Sequence, residues 1–237
     1  MLGSLFPTWL FLEKNLKPQI LLVLYLLAGA VNAIGHFFGL DEVTRYSKPL
    51  LMPLLMFYVY ESARGRVLLT ILLLCLALIF SWGGDIALLY SGQGFFVLGL
   101  GLFLLAHGVY IFLFLRGINF KIEVSVVRII PVIIFALVFF YFLRPHIGDM
   151  MIPVILYTII ISGMAAVALL RSGRVTERSY RLVVVGSVFF IASDAMIGYS
   201  KFVATFFCSE CLIMVTYIVA QYLIAEGLLD QNKYQSA

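Results

Sequence analysis

The stretch "LIFSWGGDIALLY", residues 78–90, places a carboxylate, Asp85, inside an apolar run. From Val67 to Tyr90 no other Asp, Glu, Lys or Arg interrupts the chain. About 20 consecutive apolar residues are enough for a helix to cross a bilayer. A helix also satisfies every backbone polar group internally, as the hydrocarbon requires. The segment therefore predicts a transmembrane helix with an acid buried in it, and the rest of the chain repeats the pattern without the acid or with another one.

Composition agrees with this reading. Hydrophobic residues make up 63% of the 237 residues and charged residues 12%, where an average soluble domain is about one-quarter charged. Mean hydropathy is +1.09. A soluble fold is excluded, so chain length counts helices rather than domains. The apolar runs predict an all-α integral membrane protein, a polytopic bundle of eight transmembrane helices at 18–38, 48–60, 67–90, 94–115, 127–143, 150–170, 182–201 and 208–229. The second is the shortest. Polar connections such as "ESARGR" (61–66) and "RSGRVTER" (171–178) are brief. Residues 1–237 thus read as one transmembrane domain. "LLAGAVNA" imitates a signal-peptide cleavage region, but further spans follow it, and it is read as part of the first helix.

Two segments echo each other: "GGDIALLY" in the third span and "ASDAMIGY" in the seventh each put an Asp after small residues. They suggest a repeat of two four-helix halves, which would share one orientation because four crossings return the chain to its starting side.

Orientation follows from Lys and Arg. With the N-terminus cytoplasmic, that side carries Lys14, Lys17, Arg64, Arg66, Arg116, Lys121, Arg128, Arg171, Arg174, Arg178, Arg181 and Lys233. The other side holds Arg45, Lys48, Arg144 and Lys201. The bias predicts both termini in the cytoplasm of a multi-pass protein, in the inner membrane if the host is bacterial. The net charge of +4 restates that bias, and no nucleic-acid partner is expected. "CSEC" (208–211) is half a metal site at most, and reads more simply as two thiols or a disulfide at a helix end.

Charge at a bilayer centre costs a few kcal/mol, so polar groups in spans normally face a partner or a wet cavity. Those groups are Asn32 and His36, Lys48, Ser81 and Asp85, His107 and Tyr110, Asp194, Tyr217 and Gln221. At about 1.5 Å per residue, Asp85 lies roughly 28 Å beyond Arg66, Asp194 roughly 20 Å beyond Arg181 and Asn32 roughly 22 Å beyond Lys17. All three sit in the outer half. Ser81 with Asp85, His107 with Tyr110, and Tyr217 with Gln221 each share a helix face. Converging faces would build one polar pocket open to the outer leaflet, with Lys48 at its rim.

Five segments carry a family likeness: "RYSKPLLMPLL" (45–55), "GGDIALL" (83–89), "GLFLLAHGVYIFLF" (101–114), "GSVFFIASDAMIGYSKF" (186–202) and "YIVAQYLIAEGLL" (217–229). In this order they resemble the YhhN-type family of lysoplasmalogenases. The resemblance implies hydrolysis of the vinyl ether bond of lysoplasmalogens, giving a fatty aldehyde and glycerophosphocholine or glycerophosphoethanolamine. Its polar positions fall on Lys48, Asp85, His107, Tyr110, Asp194, Tyr217 and Gln221.

Vinyl ether hydrolysis protonates the β-carbon and leaves an oxocarbenium ion for water to attack. Two carboxylates in a dry site suit it, one holding a proton and the other ionised; glycosidases treat a related cation with the same pairing. Asp85 and Asp194 are therefore the catalytic candidates, in either order. Lys48, His107, Tyr110, Tyr217, Gln221 and Asn32 are the supporting and substrate-binding candidates. Lys48 at the rim suits a lysophospholipid phosphate.

Plainer readings stand beside these. Either Asp is equally a structural group paired with a neighbouring helix, His107 a core histidine, and Lys48 a cation snorkelling beside Pro49. A proton-coupled transporter would use the same intramembrane Asp and His. Zinc would want three ligands, and one midmembrane His without a paired-His motif argues against it. No metal and no cofactor is expected.

Overall fold

The computed structural model describes residues 17–63, 67–116, 118–119 and 121–235, with side chains through Gln231. Lys14, Arg64 and Arg66, counted above for the cytoplasmic side, lie outside the described residues, as does the side chain of Lys233.

The described chain is helical, with eight α-helices in order: α1 (Pro18–Phe37), α2 (Asp41–Ser62), α3 (Leu68–Ala87), α4 (Gln93–Leu115), α5 (Ile130–Leu143), α6 (Met151–Leu169), α7 (Glu177–Phe202) and α8 (Ser209–Gln235). Short 3-10 turns lead into and out of α5. Seven helical stretches are long and apolar enough to cross a membrane, so the protein is an integral, multi-pass helical membrane protein. The helix outside that set is α2, whose first two turns carry Asp41, Glu42, Arg45 and Lys48. Its polar start is nonetheless helical, so α2 begins seven residues before the expected span. Asp41 and Glu42 lie in its first turn, where acids complement the helix dipole. Thr44 and Ser47 are buried, and Asn32 of α1 donates to the Thr44 carbonyl (3.1 Å) and to Ser47 Oγ (2.9 Å).

The helix α8 is the hub. Of its spanning window 61% is buried, against 6% for the stretch containing α5, and it packs against α7, α1, α2 and α3. Lipid tails are as apolar as leucine, so helix association here depends on close packing of small residues. On α7, a Cβ added at Gly186 would lie 3.0 Å from the Ile224 backbone nitrogen and 3.1 Å from the Ala220 carbonyl oxygen of α8. On α3, a Cβ at Gly84 would meet the Phe103 ring of α4 at 2.7 Å. These contacts bring the Asp85 and Asp194 helices against α4 and α8.

Two prolines lie inside α2, at 49 and 53. Pro53 has no N–H to offer the Pro49 carbonyl four residues earlier. Trp82 of α3 supplies the donor instead, with Nε1 at 2.8 Å from that oxygen. An orphan carbonyl is thereby converted into a tie between α2 and α3, near the residues that follow.

Candidate active site

Asp85 sits on the face of α3 that it shares with Ser81, and both are buried. Two other helices reach it or Ser81, and a third, α4, bonds to the side chain that holds Ser81. Tyr217 of α8 donates to Asp85 Oδ2 at 2.8 Å, and Lys48 Nζ of α2 lies 4.0 Å from Oδ1. One turn further along α8, Gln221 Nε2 donates to Ser81 Oγ at 3.0 Å. Tyr110 of α4 donates to Gln221 Oε1 at 2.5 Å. Each polar side chain is placed by a helical repeat, so the network is as rigid as the helices that carry it.

Asp194 of α7 occupies a second, adjoining network. Tyr157 of α6 donates a short hydrogen bond to its Oδ2. His107 Nε2 of α4 lies 3.8 Å from the same oxygen, too far for a direct hydrogen bond. His107 is fully buried and neither ring nitrogen has a hydrogen-bond partner. Such an orphan pair asks for an explanation in a native interior. Its ring is held edge-on by Phe190 (4.6 Å between centroids) and Tyr157 (5.5 Å).

Phe190 joins the two networks, packing edge-on against Tyr217 at 5.6 Å as well as against His107. The two networks therefore touch through the aromatic partners of the carboxylates, and Asp85 and Asp194 share no hydrogen bond.

Two cavities adjoin the site. The first, about 610 Å³ including its open mouth, is walled mainly by aromatic and aliphatic side chains of α4, α5, α6 and α7, among them Phe103, Phe139 and Leu143. Asp194, Tyr157 and Thr158 are its polar features. The second, about 940 Å³ including its mouth, lies at the end of the bundle where α3 turns into α4 and α7 into α8. It is lined by Lys48, Lys201, Glu210 and several hydroxyls. Leu88, Phe96 and Ile197 line both, so the cavities meet there.

Of the sequence-derived candidates, Lys48, Asp85, Tyr217, Ser81, Gln221 and Tyr110 fall into one network, and Asp194 and His107 into the next. Asp194 and Lys48 each line a cavity, whereas Asp85 lines neither and lies 4.0 Å from Lys48, so the single polar pocket expected from the converging faces is instead two adjoining networks. Asn32 reaches neither cavity, because its amide is engaged between α1 and α2. His36, half-buried, is likewise apart from both, and its Nε2 has no partner. Sequence reasoning missed Tyr157, whose only signal is a hydroxyl in the aliphatic run "VILYTIII". It also missed Tyr25, buried and donating to the Ile218 carbonyl at 2.8 Å, beside Tyr217. Tyr25 lies seven residues before Asn32, on the same helix face, and that spacing was its one signal. Among the described residues no three of His, Cys, Asp and Glu converge as metal ligands.

Comparison with known proteins bears on this arrangement. The model of the YhhN family matches residues 43–228, which include every residue of both networks. A curated protein of Bos taurus, lysoplasmalogenase TMEM86A, is 32% identical over 161 residues, covering 66% of this chain. The match spans 65% of that relative's own length. No solved structure matches the chain.

Proposed function

Because this chain belongs to the YhhN family, we propose that it is a membrane hydrolase that cleaves the vinyl ether bond of lysoplasmalogens. The products are a fatty aldehyde and glycerophosphocholine or glycerophosphoethanolamine. The similarity to a bovine lysoplasmalogenase supports the reading. The observation that carries it is the meeting of the two cavities at Leu88, Phe96 and Ile197, with Asp194 on the apolar side and Lys48 on the polar side. A lysolipid has the same order of parts: an apolar chain, a vinyl ether beneath the glycerol, then a phosphate.

In this reading the alkenyl chain occupies the apolar cavity and the phosphate lies in the polar one. With both termini cytoplasmic, the polar cavity opens to the outer leaflet. Asp194, on the chain's path, gives its proton to the β-carbon of the alkenyl group. The positive charge that develops on the α-carbon and ether oxygen is stabilised by the ionised Asp85, whose own charge is compensated by Lys48 and by the Tyr217 hydroxyl. A water attacks the α-carbon and yields its proton to Asp194, restoring the acid. The hemiacetal then loses its hydroxyl proton as the glycerol oxygen gains one, and the C–O bond breaks to give aldehyde and alcohol.

His107, with Nε2 at 3.8 Å from Asp194 Oδ2 and its ring buried away from both cavities, supports the acid without touching the substrate. Tyr157 holds one oxygen of Asp194 and leaves the other for proton transfer, while Tyr217 and Lys48 engage the two oxygens of Asp85.

The test is incubation of the purified protein in detergent with a 1-alkenyl lysolipid and with its 1-acyl analogue, followed by detection of aldehyde from the first and fatty acid from the second. Cleavage of the alkenyl lipid alone is expected. Equal cleavage of the ester would indicate a general lysophospholipase, and proton flux in liposomes without hydrolysis would indicate a carrier.

A further inference from the structure

The polar cavity carries more charge than the reaction itself requires. Lys48 is close to Asp85, which compensates it. Two further charges line the wall, Lys201 at the end of α7 and Glu210 in the first turn of α8. Among the described residues neither has an ion-pair partner within 4.0 Å. Lys201 Nζ lies 4.8 Å over the ring of Phe96, a residue shared by both cavities, so this ammonium stands at the seam. Ser200 also lines the cavity, and its buried hydroxyl oxygen has no hydrogen-bond partner.

We infer that Lys201 and Glu210 read the lipid headgroup: Lys201 binds the phosphate, and Glu210 faces the headgroup ammonium. The inference rests on the hydrolase reading and deepens it. Subtracting the Lys48–Asp85 pair leaves one positive and one negative side chain on the wall, which matches a zwitterion carrying one phosphate and one amine. A phosphoglycerol headgroup has no cation for Glu210, and an anionic one meets repulsion there. Electrostatic complementarity of this kind sets selectivity more than raw affinity. Both side chains reach the headgroup region, where water screens them, so effects of a few-fold are expected rather than orders of magnitude.

The experiment compares 1-alkenyl lysolipids with ethanolamine, choline and glycerol headgroups, using the full chain in detergent. The wild type is expected to show a lower KM for the two zwitterionic substrates. Glu210→Gln should raise KM for ethanolamine and choline by roughly threefold to fivefold, and leave or lower it for phosphoglycerol. Lys201→Met should raise KM for all three more than it lowers kcat, because each substrate has the phosphate. A purely structural role for either residue would move kcat or thermal stability and leave the headgroup ranking intact. Cleavage with equal KM for the three headgroups, or an unchanged ranking in Glu210→Gln, overturns the inference alone. No cleavage of any alkenyl substrate by the wild type overturns the hydrolase reading and the inference with it.

Discussion

Tyr217 on α8 donates its phenolic hydrogen to Asp85 Oδ2 on α3 across 2.8 Å, joining two helices whose residues lie 132 positions apart in sequence. A hydrogen bond to a charged group is worth about 1.5–3 kcal/mol, and removing a donor from a buried carboxylate also leaves that charge poorly satisfied.

Tyr217→Phe therefore removes one of the two groups that compensate Asp85, and hydrolysis of an alkenyl lysolipid should fall about tenfold to a hundredfold. Tyr157→Phe frees the Asp194 oxygen in the same way and should produce a fall of similar size. Phenylalanine preserves the ring packing against Phe190 and His107, so both variants should still fold, with unfolding midpoints lowered only by the lost hydrogen bond. Unaltered rates in both variants would remove the tyrosines from the mechanism.

Isotopes report which bond breaks. With water attacking the α-carbon, hydrolysis in ¹⁸O-enriched water should leave the glycerol hydroxyl of the phosphodiester product unlabelled. In heavy water the aldehyde should carry one deuterium on the carbon next to the carbonyl. Mass spectrometry of the two products checks both; ¹⁸O in the glycerol would mean that the glycerol–oxygen bond is the one cleaved.

The α7–α8 contact is where the fold is least tolerant. A side chain at Gly186 would press on the Ile224 nitrogen and the Ala220 carbonyl, both backbone atoms that cannot swing aside. Gly186→Val should cost at least about 1–3 kcal/mol of stability and displace Asp194, two turns away on the same helix. Gly108→Ala is the control, because a Cβ there meets nothing within 4 Å, and alanine is the better helix former. Thermal unfolding in detergent should show a lowered midpoint for the first variant and an equal or raised one for the second.

Much of the fold is legible in the sequence because the bilayer imposes one simple rule: long apolar runs must be helices. The start of α2 is not, since "DEVTRYS" reads as a polar connection. It is helical because Thr44 and Ser47 are buried against Asn32 of α1, a tertiary contact that composition does not encode. Within the site, i,i+4 spacing placed Ser81 with Asp85 and Tyr217 with Gln221 on common faces, and the structure sets those two faces against each other. Periodicity locates a face but does not name the helix opposite it. That is why Tyr157, from a helix without a distinguishing motif, went unread, and why the packing of Phe190 on both His107 and Tyr217 was visible only in three dimensions. Lys201, counted as one more cation outside the membrane, lines the polar cavity.

The most direct test of the two-carboxylate account is single-turnover hydrolysis of a 1-alkenyl lysolipid by wild type, Asp85→Asn and Asp194→Asn, with folding checked by thermal unfolding. Removing a positioned proton donor or its charged partner should slow aldehyde release by about 10²–10⁴-fold in each variant while the lipid still binds. Near-normal turnover by both folded variants would contradict it.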